Sequence, residues 1–341
     1  MNSKLYSLLH RLSDGEFHSG EVLGEVAGVS RAAVWKQLQQ LQELGVGVVS
    51  QRGRGYVIPG GLSLLEARKI SAHLQPDVSS RLVGLDILPE VDSTNKFVLE
   101  RTSMATGHGL VCVAERQKAG RGRRGRTWVS PFGANIYLSV GWSFSQGVAA
   151  LEGLSLAVGV AVSRALEGLG FLGVQLKWPN DLLVEEKKLG GILLELTGDA
   201  SGDCSVVTGI GLNVKMPSVM AAHIDQPWAD LASLENVRAQ SEPEYLDRNI
   251  IIAAILNELI PMLSAFEGSG FEPYRLEWER LNAHGGSRVN LHTPSQSIEG
   301  VVIGVTHAGG LRLMVDGEEK VFLGGELSLR AVSACDQVGE L

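Results

Sequence analysis

Four short segments of this 341-residue chain carry side chains suited to holding a polar, anionic ligand. The first, Asp92-Ser93-Thr94-Asn95, precedes the helical run Lys96–Arg101. These are capping residues, and an N-cap accounts for them alone. Their hydroxyls and amide can also line a pocket wall at a helix N-terminus and hydrogen-bond a ligand. The second segment runs from Gln117 to Trp128, with Gly120, Gly122 and Gly125 matching G-x-G-x-x-G. A dinucleotide loop must open a helix, yet β-forming residues and Ser130-Pro131 follow Arg126 here. The loop reads better as an anion cradle, in which glycines let backbone N–H groups approach and arginines neutralise charge. The third joins Lys177-Trp178-Pro179-Asn180-Asp181 to Lys188-Leu189-Gly190-Gly191. Val174–Trp178, Asp181–Val184 and Lys188–Leu196 read as strands, which sets Asp181 and Lys188 on neighbouring strands across a hairpin. A surface ion pair is the common fate of such residues, whereas burying Asn-Asp in an apolar sheet without purpose is costly. The fourth, Thr208-Gly209-Ile210-Gly211-Leu212-Asn213, ends a β-rich run from Ser205; small residues allow close approach, and Asn213 can reach a phosphate or a hydrated metal.

The chain that must position these groups is 44% hydrophobic and 20% charged, a globular composition too long for one ordinary core. Its apolar stretches, Leu154–Ala165 and Ile250–Leu263, are too short and too interrupted for a membrane span. The first sixteen residues mix charges among leucines, unlike a secretory signal. Three cysteines, Cys112, Cys204 and Cys335, form no C-x-x-C and no even set, which points to a reducing cytoplasm. The net charge of −8 argues against a protein coated in nucleic acid. Yet residues 1–61 hold six Lys/Arg and five Asp/Glu, and Arg116–Arg126 packs six basic residues into eleven without an acid. A local cationic loop in an acidic chain suits a small anion.

At the N-terminus Leu5, Leu8, Leu9 and Leu12 recur at helical spacing, Ser19 can cap a helix over Gly20–Ala27, and Ser30 can cap another over Arg31–Leu44. Val34, Leu38, Leu41 and Gly45 share one face of the third helix. Ala32, Lys36, Gln39 and Glu43 share the other, flanked by Arg31 and Trp35. Two short β-rich runs follow within Val46–Ile58, joined by Gln51-Arg52-Gly53-Arg54-Gly55. This is the pattern of a winged helix-turn-helix, with Ser30, Arg31, Ala32, Trp35, Lys36 and Gln39 offered to the major groove and Arg52 and Arg54 on the wing. A winged helix can also serve protein contact; the polar third helix and the wing arginines favour DNA. Pro59-Gly60-Gly61 reads as a linker. Beyond it, Leu64–Leu74 reads as a helix, Leu82–Leu88 as a strand, and strands alternate with helices. The tail gives short strands at Arg288–Leu291, Ile298–Val305, Leu311–Val315, Glu319–Leu323 and Leu327–Ala331, with hairpin turns at Gly309-Gly310 and Asp316-Gly317. Met216–Asp230 has neither period and contains Pro217, Pro227 and Trp228. It is expected to be mobile in the empty protein, its indole either plugging an apolar gap or serving a ligand.

Together DSTN (92–95), GRGRRGRTW (120–128), SPFGANIYLS (130–139), KWPND (177–181), KLGGIL (188–193) and GIGLN (209–213) closely resemble the bifunctional bacterial biotin–protein ligases that also repress the biotin operon. With a winged helix in front and a small β-domain behind, the resemblance covers essentially the whole chain. It implies an α+β multidomain protein: a DNA-binding unit over 1–61, a catalytic domain over 62–280 with a mixed sheet related to class II aminoacyl-tRNA synthetases, and an SH3-like barrel over 284–334. The implied reaction joins biotin to ATP as biotinyl-5′-AMP, with Mg²⁺, and then passes biotin to a lysine of the biotin carboxyl carrier protein of acetyl-CoA carboxylase. Lys188, Arg123 and Asp181 are the implied catalytic residues, with Asp181 also near the metal. Ser93, Thr94, Asn95, Gln117, Arg121, Gly122, Arg123, Lys188, Gly191 and Gly209 are implied for biotin, Gly209 by admitting its chain. Arg121, Arg123, Trp128, Asn135, Lys177, Asn180, Asn213, Trp228 and Arg330 are implied for the nucleotide, with Trp228 packing on adenine. Biotin-operon DNA and a homodimer formed on adenylate binding are the further implied partners. The alternative is a biotin-sensing DNA-binding regulator without ligase activity; keeping both Lys188 and the arginine loop favours the enzyme.

Overall fold

The computed structural model describes residues 3–102, 107–198, 202–234, 246–293, 296–323 and 328–331. Three helices open it: α1 (Ser3–Leu12), α2 (Gly20–Ala27) and α3 (Arg31–Glu43). The leucines spaced along α1 meet Leu23 and Ala27 of α2 and Val34, Leu38 and Leu41 of α3 in one small core. Ser19 Oγ accepts the Val22 N–H and Ser30 Oγ the Ala33 N–H, so both expected caps form. Strands β1 (Val49–Gln51) and β2 (Gly55–Val57) pair as the wing, with Arg52 and Arg54 at its turn. The boundary at 61 is less clean than the linker motif suggests. Leu62, Leu64 and Phe132 complete the winged-helix core, and the Leu62 N–H donates to Ser13 O.

The helix expected over Leu64–Leu74 is shorter, α4 (Ala67–Ala72). Its intended first turn has other partners: the Leu65 N–H donates to Glu115 Oε1, the Glu66 N–H to Asn249 Oδ1, and Leu64 O accepts from Asn249 Nδ2. Backbone groups satisfied elsewhere cannot build a helical ladder. A further short helix, α5 (Pro76–Arg81), follows.

Seven strands form the central sheet: β3 (Gly84–Leu88), β4 (Leu110–Ala114), β5 (Ile136–Phe144), β6 (Gln175–Lys177), β7 (Asp181–Val184), β8 (Lys187–Gly198) and β9 (Cys204–Leu212). Their spatial order is β3-β4-β5-β9-β8-β7-β6, parallel at β3–β4 and antiparallel elsewhere. Alternation along the strands decides which face each side chain serves. Cys112 and Val207 meet Val98 of helix α6 (Thr94–Thr102) on one face. Val111, Val113 and Val206 join the main core, with α7 (Leu154–Gly168) and α9 (Arg248–Ser269), on the other. Short α8 (Ser218–Ala221) lies between β9 and α9 in the chain. Helix α9 is long and apolar enough to cross a membrane, but most of it is buried against α7 and β5, as a core helix is. Helix α10 (Glu272–Leu281) leads to a second, antiparallel sheet of β10 (Arg288–His292), β11 (Ser297–Val305), β12 (Leu311–Val315), β13 (Glu318–Phe322) and β14 (Ser328–Ala331), ordered β13-β12-β11-β10-β14. Among the described residues the edge strands β13 and β14 do not pair with each other. Buried Trp178 donates its indole N–H to Gly309 O and so ties this sheet to the central domain.

Candidate active site

The four segments converge on the α6 face of the central sheet and line one cleft of about 570 Å³. Its two ends differ chemically. One end is uncharged and rich in hydrogen-bonding groups. Ser93 caps α6, its Oγ accepting the Lys96 N–H, so capping and pocket lining are the same residue's two duties. The Thr94 N–H and hydroxyl both donate to Gln117 Oε1, at 2.9 and 3.1 Å. Asn95 is buried: its Oδ1 lies 2.6 Å from Ser139 Oγ, and its Nδ2 donates to Leu193 O and Glu195 Oε2. Gly209 earns its place through Asn95. A Cβ there would sit 2.1 Å from Asn95 Oδ1, so the missing side chain admits this amide, where the sequence suggested it admits the ligand chain directly.

The other end is cationic. Lys188 Nζ lies 2.7 Å from Asp181 Oδ1, as the hairpin spacing anticipates, but the pair is mostly buried in the cleft, not displayed on the surface. The hairpin register places Asp181 opposite Gly191, with an irregularity between Leu182 and Leu183 that brings Lys188 opposite Leu183. Arg123 Nη1 donates to Asn180 Oδ1, and Asn180 Nδ2 to Ile192 O. Burial, with the Arg124 guanidinium beside it, lowers the Arg123 pKa from its usual value, against the opposing pull of Asp181. A guanidinium stays charged regardless, so Arg123 is a desolvated cation that an anion would stabilise. Arg123–Gly125 form a single 3-10 turn with Arg124 at φ 56, and no α-helix opens after the glycines, in keeping with rejection of the dinucleotide reading. Arg121, Gly122 and Lys177 also line the cleft. The Trp128 indole packs over Gly211, its ring centroid 5.7 Å from Lys188 Nζ, and its buried N–H has no partner among the described residues.

Two expected ligand residues stand elsewhere. Asn135 is fully buried behind the cleft, where its Oδ1 accepts the Val214 N–H. Asn213 Nδ2 donates to Ala229 O and Lys188 O, so its amide braces the wall around Lys188 instead of pointing into the main cleft. Arg330 pairs through its backbone with Asn290, and its side chain lies outside the described residues. The 216–230 segment also has more regular structure than its sequence suggested. It contains α8, the Met216 N–H donates to Asp230 Oδ2, and Trp228 bridges to Lys188, with Pro227 O accepting the Lys188 N–H and the Ala229 N–H donating to Lys188 O. Those polar groups next to a buried strand need partners, and the segment supplies them. Trp228, Trp128, Lys188 and Asn213 line a smaller hollow of about 60 Å³ beside the cleft.

Ser139, the last residue of the 130–139 motif, and Glu195 were not among the expected site residues. Their signal was a buried-strand serine on β5 and a lone acid within Leu193-Leu194-Glu195-Leu196. Cys112 is buried and does not line the cleft, and burial pushes its thiol up to about 12. Among the described residues no cluster of His, Cys, Asp and Glu could hold a metal by itself. On the winged helix, Arg31, Ala32, Lys36 and Gln39 are exposed, Trp35 is 55% exposed, and Ser30 caps the helix. Arg52 is exposed, while Arg54 stacks over Phe17 at 4.0 Å.

Comparison with known proteins gives the same division. Residues 87–213 match the biotin/lipoate A/B protein ligase family and residues 4–57 an HTH domain family. The chain is 41% identical to the bifunctional ligase/repressor BirA of Escherichia coli (strain K12), over 97% of this chain and 98% of that protein. It is 33% identical to the biotin–[acetyl-CoA-carboxylase] ligase of Mycobacterium tuberculosis, over 71% of this chain and 88% of that one. The biotin protein ligase of Aquifex aeolicus, solved with biotin and ATP, superposes with a TM-score of 0.60 at 28% identity, covering 74% of this chain and all of that one.

Proposed function

The chain belongs to the biotin–protein ligase family, in its bifunctional ligase/repressor form, and on that premise we propose how its cleft activates biotin and how its domains serve repression. The observation that carries the assignment is one cleft with a neutral hydrogen-bonding end and a cationic end, meeting at Lys188. The ureido ring of biotin presents both donors and acceptors, which Ser93, Thr94, Asn95 and Gln117 can match. The biotin carboxylate then points toward Lys188 and Arg123. ATP enters with its α-phosphate between these cations and its base toward Trp128 and Trp228, where the unpartnered Trp128 N–H gives a polar handle. A carboxylate oxygen attacks the α-phosphorus, pyrophosphate leaves, and biotinyl-5′-AMP forms. The carrier lysine next attacks the acyl carbon, giving an amide and AMP.

No enzyme nucleophile takes part, so catalysis rests on positioning and charge stabilisation. An ammonium has three donors. Asp181 takes one of those on Lys188, which leaves two for the biotin carboxylate and the α-phosphate. Mg²⁺ fits as an ion held by phosphates and a single carboxylate, the usual arrangement for a nucleotide metal. Asp181 would hold it, and the bound ion would add positive charge at the phosphates. We assign the carrier protein of acetyl-CoA carboxylase as acceptor, following the name of the mycobacterial relative. We further assign biotin-operon DNA to the exposed face of α3 and the wing, and a homodimer to the adenylate-bound state, since a paired operator site suits two small winged helices. The domain limits 1–61, 62–280 and 284–334, with an SH3-like closure of the last, and a cytoplasmic place of action belong to the same proposal.

Incubation with ATP, biotin and a carrier domain, followed by a gel shift on operator DNA with and without biotin, tests both halves. Carrier labelled at one lysine and a biotin-dependent shift are expected. A shift without labelling would instead identify a sensor.

A further inference from the structure

Glu195 lies on β8, two residues beyond Leu193 and four beyond Gly191, and so on the face that meets the ligand cleft. It does not line the cleft itself. A single carboxylate oxygen, Oε2, accepts from Asn95 Nδ2 at 2.9 Å and from Arg121 Nη2 at 3.0 Å. These two donors come from different parts of the site. Asn95 belongs to the neutral wall at the start of α6, and Arg121 is the first arginine of the glycine-arginine loop.

Both contacts settle something that would otherwise be free. The Asn95 amide can turn over about its last torsion at little intrinsic cost. Here Ser139 and the Leu193 carbonyl fix one orientation, and the carboxylate of Glu195, which can only accept, demands that Nδ2 face it. The remaining oxygen then faces Ser139 and the space above Gly209. Arg121 sits on a loop whose own internal ties are sparse: the Gly122 N–H to Arg126 O, the Arg126 N–H to Arg123 O, and the Trp128 N–H to Gly120 O. Its ion pair with Glu195 is the side-chain tether of that loop to the far strand, while Arg123 reaches Asn180.

We infer that Glu195 is a positioning residue for biotin activation: it orients the Asn95 amide on the biotin wall and latches the arginine loop over the adenylate through Arg121. This rests on the assignment of the cleft to biotin and ATP. It leaves Arg123, not Arg121, as the loop's cation for the phosphate.

The two contacts separate by substitution in the full-length protein. Glu195→Gln keeps an acceptor for Asn95 and loses the charge that holds Arg121. Biotin KM should stay within twofold of wild type, biotinyl-5′-AMP should dissociate about three- to fivefold faster, the scale of a partly exposed ion pair, and trypsin should cut within 116–126 faster. Glu195→Ala loses both contacts, and biotin KM should rise about tenfold as well. In a double-mutant cycle, Arg121→Gln should add nothing to the dissociation rate in the Glu195→Gln background. Thermal unfolding of each variant controls for a general loss of structure. Adenylate dissociation unchanged in Glu195→Gln, additive effects of the two substitutions, or equal rises of biotin KM in Gln and Ala would each overturn the role. If wild type itself formed no adenylate, the assignment of the cleft would fall instead, so the two failures are distinct.

Discussion

Gly209 and Gly211 stand two residues apart on β9, on the same face, and each accommodates a different side chain, Asn95 and Trp128 respectively. An alanine Cβ at 209 would lie 2.1 Å from Asn95 Oδ1 and 2.8 Å from its Nδ2; at 211 it would lie 2.6 Å from the Trp128 ring. Both are well inside the 3.0 Å that real Cβ atoms respect. Gly209→Ala must therefore push the Asn95 amide out of its place, at the expense of its bonds to Ser139, Leu193 O and Glu195. Unmaking one or two buried hydrogen bonds costs about 1–3 kcal/mol each, so biotin affinity should fall by roughly 10²-fold at 1.4 kcal/mol per decade. Gly211→Ala displaces the indole and should weaken a non-hydrolysable ATP analogue about tenfold or more, on the scale of one lost base–aromatic contact of roughly 1–3 kcal/mol. Each variant should leave the other ligand within about threefold, a margin below half a decade. Titration calorimetry with biotin and with the ATP analogue reads all four numbers. Equal loss of both ligands in both variants would refute the reasoning, because it would make the glycines general requirements of the sheet and not partners of two distinct walls.

Lys188→Ala should still bind biotin, with an affinity reduced by the lost carboxylate contact, yet form adenylate about 10²–10³-fold more slowly in single turnover; a rate within a few-fold of wild type contradicts the charge role. Arg123→Gly should let the adenylate escape, seen as biotin label spread over unrelated surface lysines instead of the carrier's. Burial, with Lys177 nearby, lowers the His284 pKa from its ordinary 6.5 against the pull of Glu186. The unfolded chain then takes up a proton that the folded chain refuses, so stability should fall as pH drops below 6.5. His284→Gln should flatten that slope in urea melts at pH about 7.5 and 5.5; an unchanged slope would clear His284. Deleting Met1–Gly61 should abolish operator binding and also destabilise the remaining chain by about 2–4 kcal/mol, because Leu62, Leu64 and Phe132 lose their core; an unaltered melting temperature would show that this packing counts for little.

Where local chemistry decides the structure, the sequence alone sufficed. Ser19 and Ser30 cap the helices they announce, the leucine spacing of α1 meets the faces of α2 and α3, and the hairpin puts Lys188 against Asp181. What stayed hidden depends on contacts between residues far apart in the chain. Glu115 pairs with Arg248, both almost wholly buried, and Arg248 also holds Ser63 O, while Asn249 takes up Leu64 O. Together these shorten α4, and no periodicity in 64–74 contains that information. The role of Gly209 likewise appears only once α6 lies over β9, because the atom it accommodates belongs to a residue 114 positions earlier. Asn135 and Asn213 read as ligand groups from their motifs but are spent on backbone of their own wall. A motif marks which side chains the site needs without telling a contact from its support.

The join between the winged helix and the ligase is built from the same segments that line the cleft. Leu44 O at the end of α3 accepts from the Phe132 N–H, and the next residue, Gly45, faces Pro131 and Met220. Pro131 follows the arginine loop, and Met220 lies in the 216–230 segment that bridges to Lys188. A ligand that repositions either segment therefore acts on atoms touching the end of α3, with no intervening domain to absorb the change. The segment just after the linker cannot absorb it either, because Ser63 through Glu66 is fastened to Asp247, Asn249, Arg248 and Glu115. A buried charge pair such as Arg248–Glu115 adds little net stability compared with apolar packing, but losing one partner is expensive. Its effect here is geometric: through Ser63 O and the Leu65 N–H it fixes the segment that joins the winged helix to the central sheet.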